Sequence, residues 1–127
     1  MSAPRQPSDV LAALFLFTGF RRFRDDNRLL NGVVIGTAGL KPKPPFDVFL
    51  PLENTGSYWG SPALDEAFEL LKRLRVLQTE TPDTAFFCMD ERSREYIERE
   101  IVSGFTIDEK SELTRVAKFV RNVCGIS

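Results

Sequence analysis

The chain contains no histidine, which removes the commonest general base, the usual zinc ligand and every Ser-His or Cys-His pair. Cys88 and Cys124 stand 36 residues apart without a CxxC spacing, and read as buried, reduced thiols. No phosphate-binding glycine loop, GxGxxG or nucleophile elbow is present. The carboxylates between Glu91 and Glu100 are too evenly interleaved with arginines to suggest a metal site. These residues point away from catalysis, and no cofactor is expected. What remains is cation chemistry. Phe20-Arg21-Arg22-Phe23-Arg24 is followed by Arg28, then by Lys41 and Lys43, and a second group is Lys72, Arg73 and Arg75. Arginines interleaved with aromatics can clasp a phosphate backbone. The alternative is structural: cations at a helix C-terminus complement its dipole, with Asp25 and Asp26 as neighbours. Tyr58 and Trp59 either anchor an interface or close the core over the helix that follows them.

The net charge of −1 lacks the broad positive field of most small nucleic-acid binders. Residues 1–60 carry 7 basic and 5 acidic side chains, residues 61–127 carry 10 and 13. Any phosphate contact must therefore be local, with a mild bias to the first half.

The elements that must position these residues follow from 127 residues of ordinary apolar content. That length predicts one domain with a core that needs no disulfide or metal. Residues 1–7 read as a mobile arm and Ser8 as an N-cap. A first helix is expected over 9–23, with Val10, Ala13, Leu14 and Phe17 on one stripe flanked by Leu11, Phe15 and Phe20. The apolar run Val10–Phe17 is too short to span a membrane. Asp9 before it, and the absence of a cleavage site after it, argue against a signal peptide; a cytoplasmic protein is expected.

Residues 26–38 are β-prone at Val33-Val34-Ile35 but carry helical ends, with Asp26 as cap and Gly39-Leu40 before Pro42 as stop, and are read as a second helix. Gly32 and Gly36 on one face of it would admit a close neighbour. After the stiff Lys41-Pro-Lys-Pro-Pro45 segment, Phe46, Val48 and Leu50 alternate as a short strand ending at Pro51. A loop covers 53–60. Ser61-Pro62 starts a helix over 62–75 carrying Leu64, Ala67, Phe68, Leu71 and Leu74. Val76–Thr81 and Thr84–Met89 bracket a Pro82-Asp83 turn and form a hairpin. Asp90 caps a charged helix with Tyr96, Ile97 and Ile101 inward, Glu95 facing Arg99, and Gly104 as stop. Thr106 and Glu109 form a capping box for a last helix over 106–124, with Leu113, Val116, Val120 and Val123 inward. The predicted core is Leu14, Phe17, Leu64, Phe68, Leu71, Ile97, Ile101, Val116 and Val120.

This order, helix-helix-strand-helix and then a two-stranded hairpin, resembles a winged helix-turn-helix carrying two additional C-terminal helices, an α+β fold. Residues 62–75 stand in the place of the recognition helix and 76–89 in that of the wing. Phe46–Leu77 and Phe86–Ile101 are similar in layout to prokaryotic and phage winged-helix proteins of the Panacea antitoxin-domain kind. Those have Gly-Pro-Tyr-Ser where this chain has Gly56-Ser57-Tyr58-Trp59-Gly60-Ser61-Pro62, and Thr-x-x-Gly where it has Met89-Asp90-Glu91-Arg92. The resemblance implies the fold, and regulation or neutralisation of a partner, but assigns no functional residue. Two functions follow as expectations: a DNA-associated transcriptional regulator, or a protein interaction module of adaptor or antitoxin-like type, with a homodimer open in either case. Asp65, Glu66 and Glu69 near the start of the recognition helix would repel phosphate and weigh against the usual groove pose.

Overall fold

The structure, a computed structural model, describes residues 5–54, 56, 59–79 and 85–126. Its first helix, α1 (Pro7–Thr18), begins two residues earlier than Ser8 predicts, because Pro7 occupies the first helical position behind Gln6. It also ends well before residue 23. Gly19 adopts φ 63° and donates its N–H to the Leu16 carbonyl, a left-handed stop that a Cβ would oppose. The chain reverses there and Arg22–Arg24 becomes strand β1. Arg5, within the segment read as an arm, has its partners some hundred residues along the chain. Arg5 Nη2 lies 2.9 Å from Glu109 Oε1 and Nε lies 3.2 Å from Oε2. The same guanidinium donates to the Gly104 carbonyl and lies 4.4 Å over the Phe105 ring.

Asp26 caps α2 (Asn27–Ala38) by accepting from the Leu29 N–H, as the helical ends predict. Gly32 and Gly36 do not admit a neighbouring element: they are exposed, and a Cβ at either would meet nothing within 4 Å. The strand expected at Phe46–Leu50 is a 3-10 turn, Phe46–Phe49. Burying both Phe46 and Phe49 requires the i, i+3 spacing of a tight helix, whereas alternation would have put Phe49 on the side opposite Phe46. Within the predicted loop, β2 (Glu53–Asn54) pairs antiparallel with β3 (Trp59–Gly60).

Ser61 caps α3 (Pro62–Arg73) through its Oγ, which accepts from the Leu64 N–H at 3.1 Å. The helix stops two residues early because Arg75 turns left-handed, φ 60°, and Val76 and Leu77 donate back to the Leu71 carbonyl. Leu74 is consequently exposed and not in the core. Then β4 (Gln78–Thr79) pairs antiparallel with β5 (Phe86–Cys88), while the predicted turn at 81–84 lies outside the described residues. Asp90 caps α4 (Glu91–Tyr96), which continues as a π-helical turn, Ile97–Ile101, and a 3-10 turn, Val102–Gly104. Tyr96 is exposed rather than inward, since the register places Ile97 against the core. Arg99 pairs with Glu100 rather than Glu95. The capping box at Thr106 is formed and opens α5 (Ile107–Cys124), whose Val123 is half exposed. A final strand, β6 (Gly125–Ile126), completes an antiparallel sheet of order β4-β5-β1-β6.

The fold is therefore α+β, five α-helices and a small antiparallel sheet among the described residues. α1 is central: α3, α5 and the continuation of α4 pack on it, and α5 also covers α2. The core gathers around Phe15, whose ring lies 4.8 Å from Phe23, 5.6 Å from Phe87, 5.7 Å from Phe20 and 6.2 Å from Phe68. Of the predicted core, Phe17 and Ile101 are half-buried and the other seven are buried. Arg94, which composition places on a solvated face, ties α4 to the chain reversal by donating to the carbonyls of Phe20 (2.5 Å) and Met89 (3.2 Å).

Two outcomes follow from this packing. Phe68→Ala should lower stability by roughly 3–5 kcal/mol, measured by urea unfolding, because it opens a void beneath Phe15 and Phe87 that helices and sheet cannot jointly close. The carboxyl of Glu109 is held below its ordinary pKa by the Arg5 hydrogen bond, against the opposing effect of burial. It therefore contributes stability that is fully present above the unfolded-state pKa and is lost as pH falls through the folded one. Glu109→Gln should cost about 1–2 kcal/mol at neutral pH. In unfolding titrations the difference from wild type should shrink steadily once the pH drops below that of an ordinary glutamate.

Candidate nucleic-acid interface

β1 decides where the first basic cluster points. Phe23 is buried against Phe87, its register partner on β5, so strand alternation turns Arg22 and Arg24 to the opposite, outer face of the sheet. Arg24 pairs in register with Phe86, and the Arg22 guanidinium lies 4.4 Å over the Phe86 ring. Cys88 and its register partner Gln78 continue the same face. Arg21, one residue before the strand, and Arg24 are exposed and form no ion pair among the described residues.

The second cluster reaches the end of β1 through one ion pair. The Asp25 N–H donates to the Ala85 carbonyl at 2.9 Å, holding the end of β1 on the hairpin. The Asp25 carboxylate in turn accepts from Lys72 Nζ at 3.1 Å. Lys72 also pairs with Glu69 at 3.0 Å and rests 4.6 Å from the Phe68 ring centre. Desolvation disfavours the charged Lys72 ammonium, but the hydrogen bonds from it to Glu69 and Asp25 outweigh this and raise its pKa. Lys72 and Arg75 border a polar depression of about 430 Å³ with Leu77, Gln78 and Thr79.

The remaining predicted cations lie elsewhere. Arg28 is exposed in the first turn of α2, bordering a shallow depression with Leu29, Gly32 and Val33. Arg73 lies on the flank of α3 that faces the start of α1, beside Glu66. Lys41 and Lys43 follow the far end of α2, about 18 Å along a helix of this length, and Lys43 borders the start of α5 with Glu109 and Glu112. They do not join the face made by β1.

Asp65, read as an obstacle to phosphate, has a structural task. Its carboxylate accepts from the amides of Asn27 (2.6 Å) and Asn31 (2.7 Å). Asn31 is buried, and its Oδ1 accepts from the Ser61 N–H at 2.9 Å. Ser61 Oγ donates to the Phe49 carbonyl at 2.6 Å. One polar network thus locks α2, the 3-10 turn and the start of α3. Asn31 went unnoticed in the sequence, although an amide inside the apolar run Leu29–Ile35 is a signal that something must satisfy it. Glu66 and Glu69 stay exposed.

Trp59 on β3 is 43% exposed and borders an apolar depression of about 400 Å³ with Leu40 (57%), Leu50 (44%), Pro51 and Leu52. It does not close the core. Tyr58 lies outside the described residues. Cys124 is buried and Cys88 half-buried rather than buried, both free thiols; burial pushes the Cys124 thiol up to about 11, far from a thiolate nucleophile at neutral pH. Among the described residues no three His, Cys, Asp or Glu side chains converge as metal ligands, and no helix is long and apolar enough to cross a membrane. No protein-family model matches the chain, and neither the curated proteins nor the solved structures contain a significant match to it.

Proposed function

We propose that the chain is a non-enzymatic winged-helix regulatory domain of the cytoplasm that associates with DNA, in the manner of a transcriptional regulator. The observation that carries this reading is the basic outer face of the sheet at β1. β1 sets Arg22 and Arg24 on that face beside hairpin strand β5, and the Asp25–Lys72 pair ties the end of α3 to the end of β1. The winged-helix reading starts from the order helix-helix-strand-helix and then a hairpin; Phe46–Leu50 does not form that strand, and the reading now leans on β1, between α1 and α2, as the third strand beside the hairpin. With a net charge of −1, association should be modest and strongly salt-dependent. A gel-shift titration with a duplex in low-salt buffer should show a complex at micromolar protein that dissolves as salt is added. A chain that leaves the duplex unshifted at about 50 µM, inside the range of ordinary non-specific binding, would count against the reading.

The second reading, a protein interaction module of the adaptor or antitoxin-like kind, is favoured by a different observation. Leu40, Leu50 and Trp59 are large, exposed and adjacent around one depression, and aromatic anchors of this sort dominate interfaces. Trp59 is the chain's one tryptophan, so its emission reports on this patch alone. Self-association or partner binding there should shift the emission to the blue with rising concentration. Emission constant over the whole range in which sedimentation detects a complex would exclude the patch from that interface.

A further inference from the structure

The outer face of the sheet and the exposed side of α3 offer opposite charges to a polyanion. On α3, Glu66 and Glu69 are exposed, and the carboxylate of Asp65 lies in the lock formed with Asn27 and Asn31. The nearest cation, Lys72, is already shared between Glu69 and Asp25. No side chain in the first half of this helix can donate to a phosphate or to the acceptor edge of a guanine. The outer face of β1 carries Arg22 and Arg24, with Arg21 exposed just before it. Its outward ring, Phe86, is half-buried under the Arg22 guanidinium. Among the described residues the face therefore holds cations but no open ring on which an unpaired base could stack.

We propose that a DNA duplex is held through its phosphates by Arg21, Arg22 and Arg24 on the outer face of the sheet, with α3 kept out of the groove, so that binding does not read base sequence. This deepens the reading of the chain as DNA-associated and rests on it. Counterion release by three arginines gives a slope of log affinity against log salt of about −3, and each arginine removed takes away about one unit.

The test is fluorescence anisotropy with two labelled duplexes of equal length, one A·T-rich and one G·C-rich, together with a single strand of the same length. Titrations run from about 50 to about 200 mM salt. Wild type should bind both duplexes within roughly threefold of each other, and the single strand less tightly. Arg21→Ala/Arg24→Ala replaces only exposed side chains, and an unchanged melting temperature confirms its fold. It should weaken both duplexes about tenfold or more at the lowest salt and reduce the slope by about 2. Glu66→Ala and Arg73→Ala should leave the ratio between the two duplexes unchanged.

Three results would overturn the inference while leaving DNA association standing. They are duplex binding that survives the double arginine variant, a preference between duplexes that moves with Glu66 or Arg73, and tighter binding of the single strand. A wild-type chain that binds none of the probes would remove the inference together with the reading beneath it.

Discussion

The ring of Phe15 is the point at which the separate parts of this chain are made to agree. It projects from the middle of α1 into edge-to-face contact with Phe20, Phe23 and Phe87, and Phe68 closes the cluster from α3. All five rings are buried. Edge-to-face pairs add to the large apolar area that each ring removes from water, and they constrain orientation as well as distance. Gly19 is the condition for this arrangement, because only a left-handed residue there turns the chain sharply enough to bring Phe20 and Phe23 back over Phe15. Arg121 of α5 seals the same corner by donating to the Thr18 carbonyl at 3.1 Å, where the end of α1 would otherwise leave an acceptor unmet.

The candidate surface is the reverse side of that packing. A strand that buries Phe23 must turn its neighbours outward, so the aromatic cluster that stabilises the sheet also displays Arg22 and Arg24 together. The same economy appears at α3. Burial of Phe68 and Leu71 leaves Lys72 at the margin of the core, within reach of Asp25. The acids on the first turns of α3 divide into one that is structural, Asp65, and two that remain on the surface. Charge is thus segregated by element: the outer face of β1 is basic and the exposed side of the first half of α3 acidic. A chain with almost no net charge can in this way carry a locally positive face.

The two C-terminal helices are part of the domain rather than attachments to it. α5 lies along both α1 and α2, and β6, which follows it directly, pairs with β1 on the side away from the hairpin. Its N-terminus is bound to the start of the chain through Arg5 and Glu109, a carboxylate that serves the capping box and the ion pair together. A bidentate, largely buried pair of this kind fixes geometry as well as charge. The first and last helices therefore meet at both ends, by Arg5 at one and by Arg121 at the other.

Features whose hydrogen bonds close within one turn were legible in the sequence. The caps at Asp26, Ser61, Asp90 and Thr106 need only a side-chain oxygen and an N–H two or three residues on, so residue type and spacing sufficed for α2, α3 and α5 and for the start of α4. The cations of the candidate site were legible by type for the same reason. Features that depend on partners far along the chain were not. β1 exists because Phe23 meets Phe87 and Gly125, and a three-residue strand between two helices carries too little alternation to announce itself. Phe46, Val48 and Leu50 fit alternation while Phe46 and Phe49 fit i, i+3 spacing, and only the position of the core beneath both phenylalanines selects the 3-10 turn. Tertiary packing also decided which cations share a face, since the outer side of β1 is defined by what lies inside it, while Lys41 and Lys43 were carried away by the length of α2. Local backbone chemistry was written in neighbouring residues; the meeting of β1 with α3 was decided only by the closing of the aromatic core.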